Sequence, residues 1–158
     1  MEYDTKEHWQ SVWSRKKSNE VSWYQKEPKS SIDLILSTNP SKDASIIDVG
    51  GGDSNLVDRL LELGFKNITV LDISTEALER AKERLGKRAE TIKWIECDIR
   101  RFDAHDKYDI WHDRALLHFL TAEEDLKNYV ELTRKCVKKG GYMFLSNFCI
   151  KGPMMCSV

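Results

Sequence analysis

Ser45-Ile46-Ile47-Asp48-Val49-Gly50-Gly51-Gly52-Asp53-Ser54-Asn55-Leu56 reads as a short buried strand, a glycine turn and the start of a helix. Ile46, Ile47 and Val49 are β-branched, as suits a strand covered on both faces. Three consecutive glycines let the backbone turn sharply and come close to a ligand. Asp53, Ser54 or Asn55 then caps a helix that begins near Leu56 and stops at Gly64. A strand that feeds a helix through glycines is where an open α/β sheet binds a nucleotide.

Two features separate this turn from a dinucleotide fingerprint. Gly50 and Gly52 supply G-x-G, but Asn55 stands where a third glycine allows close helix–strand packing around a pyrophosphate. Asp48 also places a carboxylate at the strand end, where it repels a pyrophosphate and attracts an ammonium or sulfonium. An NAD-type oxidoreductase is therefore disfavoured.

Working outward, the remaining chain alternates helices and strands. A helix over 5–17 carries Trp9 and Trp13 on one face, and Trp23-Tyr24-Gln25 follows ahead of a second helix over 29–37. These aromatics either staple an arm to the sheet or roof a cofactor pocket, where their faces attract a cation. A second strand over 68–73 ends in Asp72 and Ile73, with Asp72 set to accept both ribose hydroxyls of a nucleotide. Ser74 caps a helix over 75–85, and Gly86 closes it. A third strand over 92–99 brings Asp98 to the same crevice, outside the carboxyl ends of parallel strands. The fourth strand, 108–114, runs into His112-Asp113-Arg114. Thr121 and Glu124 suggest a capping box for a helix over 122–138, which Gly140-Gly141 ends before a fifth strand over 142–148. The alternation makes a doubly wound, Rossmann-like, mostly parallel sheet.

The chain is 158 residues long and makes one domain: an aromatic and helical cap over 1–40, a cofactor-binding core over 41–148 and a tail over 149–158. With 25 basic against 26 acidic residues, no basic field announces nucleic acid. No apolar run is long enough to span a membrane, and the N-terminus is charged and aromatic rather than signal-like. Cys97, Cys136, Cys149 and Cys156 form no C-x-x-C pair, which argues against a zinc site or disulfide framework and for a reducing, cytosolic setting.

The D-x-G-x-G pattern of Asp48, Gly50 and Gly52 resembles the first motif of class I S-adenosylmethionine-dependent methyltransferases. That resemblance implies that Gly50, Gly51 and Gly52 face the methionine and ribose portion of the cofactor. It also implies that Asp98 accepts the adenine amino group, with Ile99 against the ring. With Glu7-His8-Trp9-Gln10-Ser11-Val12-Trp13, Ser22-Trp23-Tyr24-Gln25 and His112-Asp113-Arg114-Ala115, the likeness extends over nearly the whole chain. It resembles the small class I enzymes related to thiopurine S-methyltransferase, in a branch with W-Y-Q and H-D-R-A signatures. A W-Q-x-x-W segment packs over the cofactor in those enzymes, and a D-R-G sequence brings an arginine beside the substrate. The resemblance thus implies that Trp9, Trp13, Trp23 and Tyr24 serve the cofactor and Arg114 the substrate, although Ala115 replaces the glycine.

The implied activity is methyl transfer to a small-molecule thiol or amine, or to a protein side chain. Either Asp113 or His112 is the candidate base, and Arg114 would orient an anionic group. His112 is also a candidate at the cofactor. His112, Asp113 and His118 are candidate metal ligands by type, but His118 lies in an apolar run and no third spaced ligand appears, so no metal is expected. The rival reading is a cofactor-binding module without turnover. Only five strands precede Gly152-Pro153-Met154-Met155-Cys156-Ser157-Val158, whereas the family usually adds a sixth and a seventh. The expectation is a sheet lacking its last two strands, associating through an apolar edge at 142–148.

Overall fold

The computed structural model describes residues 5–114 and 116–147. Its centre is a parallel sheet of five strands: β1 (Ser45–Val49), β2 (Asn67–Asp72), β3 (Lys93–Glu96), β4 (Tyr108–Arg114) and β5 (Val137–Ser146). Their spatial order is β3-β2-β1-β4-β5. The chain moves outward from β1 to β3, then crosses back to β4, so the order reverses between β1 and β4. Open α/β sheets bind ligands at that switch point. Asp48 pairs with His112 across it, and Val49 with Asp113.

Helices α2 (Lys29–Ser37), α3 (Leu56–Glu62) and α4 (Thr75–Leu85) cover one face. Ile35, Leu60 and Leu78 pack there against Ile46, Val70 and Ile110. Helix α5 (Glu123–Cys136) covers the other face, where Tyr129 and Cys136 meet Ile47, Val49 and Trp111. Residues alternate between the two faces along each strand, and both faces are largely buried in β1, β2 and β4. Helix α1 (Lys6–Arg15) lies against α4, where Trp13, Val21 and Ala77 form a small separate core.

Local chemistry explains most helix boundaries. Thr5 caps α1 through His8 N–H, Ser74 caps α4 through Ala77 N–H, and Gly86 ends α4 at φ +58°. One set of alternatives is decided and three expectations are corrected. Leu56 N–H is capped by Ser54 Oγ at 3.1 Å, while Asn55 Nδ2 instead reaches the Gln25 carbonyl at 2.9 Å. The Thr121–Glu124 capping box does not form: Ala122 is the N-cap, without a side-chain hydrogen bond. Strand β3 stops at Glu96, and Asp98 caps a short 3-10 turn over Ile99–Arg101. Helix α5 ends at Cys136, so Gly140 and Gly141 lie inside β5 rather than terminating the helix. Pairing decides this last point, because the register moves from Tyr108↔Val137 to Ile110↔Tyr142 through a bulge.

Strand β5 is an edge, and Tyr142 and Leu145 are exposed on it. The tail over 149–158 and the end of the expected 142–148 strand lie outside the described residues. No described helix is long and apolar enough to cross a membrane.

Candidate functional site

A cavity opens at the carboxyl ends of the strands. Gly50, Leu71, Asp72 and Ile73 line it from β1 and β2, and Cys97, Asp98, Ile99 and Arg100 from the turn after β3. Leu116, His118, Phe119 and Leu120 line it after β4, together with Trp9, Trp13, Trp23 and Arg114. A second hollow lies behind the glycine turn. It is bounded by Asp48, His112, Tyr24, Gln25 and the turn itself, and it shares Trp13, Trp23, Gly50 and Arg114 with the first.

The turn is built for close approach. Gly50 has φ +67° and Gly52 φ +47°, backbone conformations that L side chains rarely adopt. A Cβ on Gly50 would stand 2.8 Å from Leu116 Cδ1, and one on Gly52 would stand 3.2 Å from Asp72 Oδ2. Bare backbone therefore borders the cavity where a side chain would fill it.

Asp72 is buried, and its Oδ1 accepts Ser74 N–H at 2.8 Å. Burial, and then the charge of Asp48, push its pKa up to about 6, against the opposing backbone N–H groups of Ser74, Gly52 and Ile73. Asp98 is engaged by Arg100, with Nε 3.0 Å from both oxygens and Nη2 2.6 Å from Oδ2. Burial raises the Asp98 pKa, but Arg100 outweighs it and holds the group below the usual carboxylate range. The cavity thus contains one strained carboxylate and one compensated carboxylate.

The aromatic arm is tied over this opening. Trp23 meets Trp9 edge-on at 5.9 Å between ring centroids and Trp13 at 6.1 Å, while Trp9 meets Phe119 at 4.9 Å. Arg114 donates to the Trp23 carbonyl, Ser18 to Asp53, and Arg80 to the carbonyls of Trp13 and Lys16. Gln10 accepts from Ser74 Oγ at 3.2 Å. These ties place Trp9, Trp13 and Trp23 on the main cavity, while Tyr24 is on the second hollow only.

The two candidate bases are elsewhere. Asp113 is fully buried and lines neither opening; it accepts from Tyr129 Oη at 2.6 Å and Leu116 N–H at 3.0 Å. Burial raises its pKa, yet its position on the α5 face removes it from the cavity. His112 borders the second hollow with both ring nitrogens engaged, Nδ1 with Asp48 at 2.7 Å and Nε2 with Ser31 at 2.8 Å. Neither side chain lines the main cavity.

Leu116, Phe119, Leu120, Cys97 and Arg100 were not among the sequence candidates. Phe119 and Leu120 are hidden within an apolar run that reads as core. Arg100, two residues past Asp98, offered the clearest signal. Among the described residues, no group of three or more His, Cys, Asp or Glu side chains could hold a metal.

Residues 46–141 match the family model described as a methyltransferase domain. Nodulation protein S of Bradyrhizobium diazoefficiens is 31% identical over 87 residues, covering 55% of this chain and 41% of that protein. N-terminal Xaa-Pro-Lys N-methyltransferase 1-A of Xenopus laevis is 25% identical over 112 residues, covering 70% and 50%. The chain thus spans half or less of the length of these curated relatives. Among solved structures, the N-methyltransferase NodS from Bradyrhizobium japonicum WM9 in complex with S-adenosyl-L-homocysteine superposes with a TM-score of 0.69 at 22% identity. That likeness covers 86% of this chain and 71% of the other, and it speaks for the fold.

Proposed function

Since the chain belongs to the methyltransferase domain family, we propose that it binds S-adenosyl-L-methionine in the main cavity and transfers a methyl group to a nitrogen acceptor. The observation that carries this reading is the meeting of Asp72, a buried carboxylate, with the side-chain-free Gly50–Gly52 backbone beneath three tryptophans.

The residues fit the cofactor's chemistry. Asp72 accepts the ribose hydroxyls, Asp98 and Ile99 hold the adenine, and the glycine turn lets the ligand lie against backbone. The tryptophan arm favours a cation and excludes water. When bound, the cofactor supplies a methyl group on a positively charged sulfur. The chain's contribution is alignment of an acceptor with that group in a water-poor space. Arg114 uses part of its guanidinium on the Trp23 carbonyl and has further N–H groups for an anionic part of the acceptor.

A nitrogen acceptor is supported by the curated relatives' names: where they specify an atom, it is nitrogen. The likeness to the thiopurine-related branch remains a narrower reading, supported by Trp9 and Trp13 over the cavity. Calorimetry with S-adenosylhomocysteine, followed by methyl-transfer assays on matched amines and thiols, tests the proposal. No binding would overturn it, binding without transfer would favour the module without turnover, and transfer to thiols alone would overturn the nitrogen assignment.

A further inference from the structure

Three buried side chains join α2, β1 and β4 in one line. His112 Nδ1 lies 2.7 Å from Asp48 Oδ1, and His112 Nε2 lies 2.8 Å from Ser31 Oγ. Ser31, Asp48 and His112 are each less than 5% exposed. A carboxylate accepts, so Nδ1 carries a hydrogen toward Asp48 and Nε2 takes the hydrogen of the serine hydroxyl. The order Ser–His–Asp is that of a hydrolytic triad, but this hydroxyl is buried on the α2 side of the sheet and lines neither opening. The same bonds that prepare a nucleophile elsewhere serve orientation here.

Asp48 needs that orientation. Its carboxylate lies directly under the glycine turn, with Oδ2 only 2.7 Å from where a Cβ on Gly51 would stand. It is close enough to Asp72 for its charge to raise that group's pKa. A buried carboxylate facing a second one stays in place only when fixed donors hold it. His112 is such a donor, and Ser31 in turn fixes the imidazole ring. Asp48 also borders the second hollow, alongside Trp23 and the carbonyl-bearing side chain of Gln25. The Gln25 Oε1 atom is buried there and accepts no hydrogen bond. The border of the hollow is thus rich in acceptors.

We infer that Ser31 and His112 are positioning residues that hold Asp48 as the acceptor for the ammonium of the cofactor's amino-acid tail. This rests on the cofactor reading above. It links the N-terminal arm to cofactor affinity, because α2 carries one end of the line and the glycine turn sits over the other.

The test compares two ligands by calorimetry: S-adenosylhomocysteine, and 5′-methylthioadenosine, which keeps the adenosine and thioether but lacks the tail. His112→Leu is expected to weaken S-adenosylhomocysteine about tenfold or more while leaving methylthioadenosine within about twofold. His112→Asn, whose amide nitrogen takes the place of Nδ1, is expected to retain most of the preference for the tailed ligand. His112→Gln, whose amide reaches toward Ser31 instead, is expected to lose it. Should His112→Leu fail to fold, the Asn and Gln pair decides. Equal weakening of both ligands, an unchanged ratio, or Asn and Gln variants that behave alike would overturn the inference. If the unsubstituted protein binds neither ligand, the cofactor reading itself falls, and this inference with it.

Discussion

The Tyr129 hydroxyl lies 2.6 Å from Oδ2 of Asp113, joining the middle of α5 to the end of β4. The same hydroxyl accepts Trp111 Nε1–H at 3.0 Å. Burial, and then the Asp113 charge, raise the Tyr129 pKa, so the proton remains on the phenol. Tyr129→Phe leaves a buried indole N–H and a carboxylate oxygen each short of a partner. The expected cost is about 2 kcal/mol of unfolding free energy, measured by urea denaturation. Affinity for S-adenosylhomocysteine should hardly change, since neither group lines the cavity.

Asp72 makes binding and stability respond to pH in opposite directions. Its folded-state pKa is raised from 3.8 to about 6. Over that interval the native state binds more protons than the unfolded state. The Asp72 contribution to stability is therefore fully present below pH 3.8 and is lost as pH rises through about 6. The ionised carboxylate is the better acceptor for ribose hydroxyls, so S-adenosylhomocysteine affinity should instead climb through that range. Calorimetry and melting on the same samples test both slopes, and Asp72→Asn should flatten each.

The tryptophan arm should report the ligand directly. Binding is expected to change tryptophan emission, because Trp9, Trp13 and Trp23 all line the cavity. Trp23→Ala removes the ring that touches both of the others and should weaken binding about tenfold. Removal of residues 1–25 should weaken it further, well beyond any shift in melting. Normal affinity in the truncated protein would reduce the arm to surface packing.

Arg84 braces the glycine turn from α4. It pairs with Asp53, whose side chain is 1% exposed, and with Asp58 at 2.8 Å. The Asp53 carboxylate also accepts from Ser18 in the arm. Arg84→Met leaves Asp53 buried without its cation, at an expected cost of about 2 kcal/mol, and thermal melting measures the loss. Asp53→Asn in the same background should recover part of it.

The sequence by itself determined the elements whose signals are local. The β-branched run of β1, the cap of α4 at Ser74 and its close at Gly86 depend on neighbouring residues alone, and each is found where it was expected. Asp72 and Asp98 reach one crevice because parallel strands present their carboxyl ends on the same side. Tertiary structure decided β5, where pairing with β4 draws Val137 into the strand and carries it past two glycines. It also decided the fate of His112, Asp113 and Arg114. Adjacent residues in a strand point to opposite faces, and both faces here are covered, so apolar patterning carries no sign of which face each occupies. Packing sends Asp113 to Tyr129 under α5 and His112 to Ser31 under α2, and leaves Arg114 at the opening.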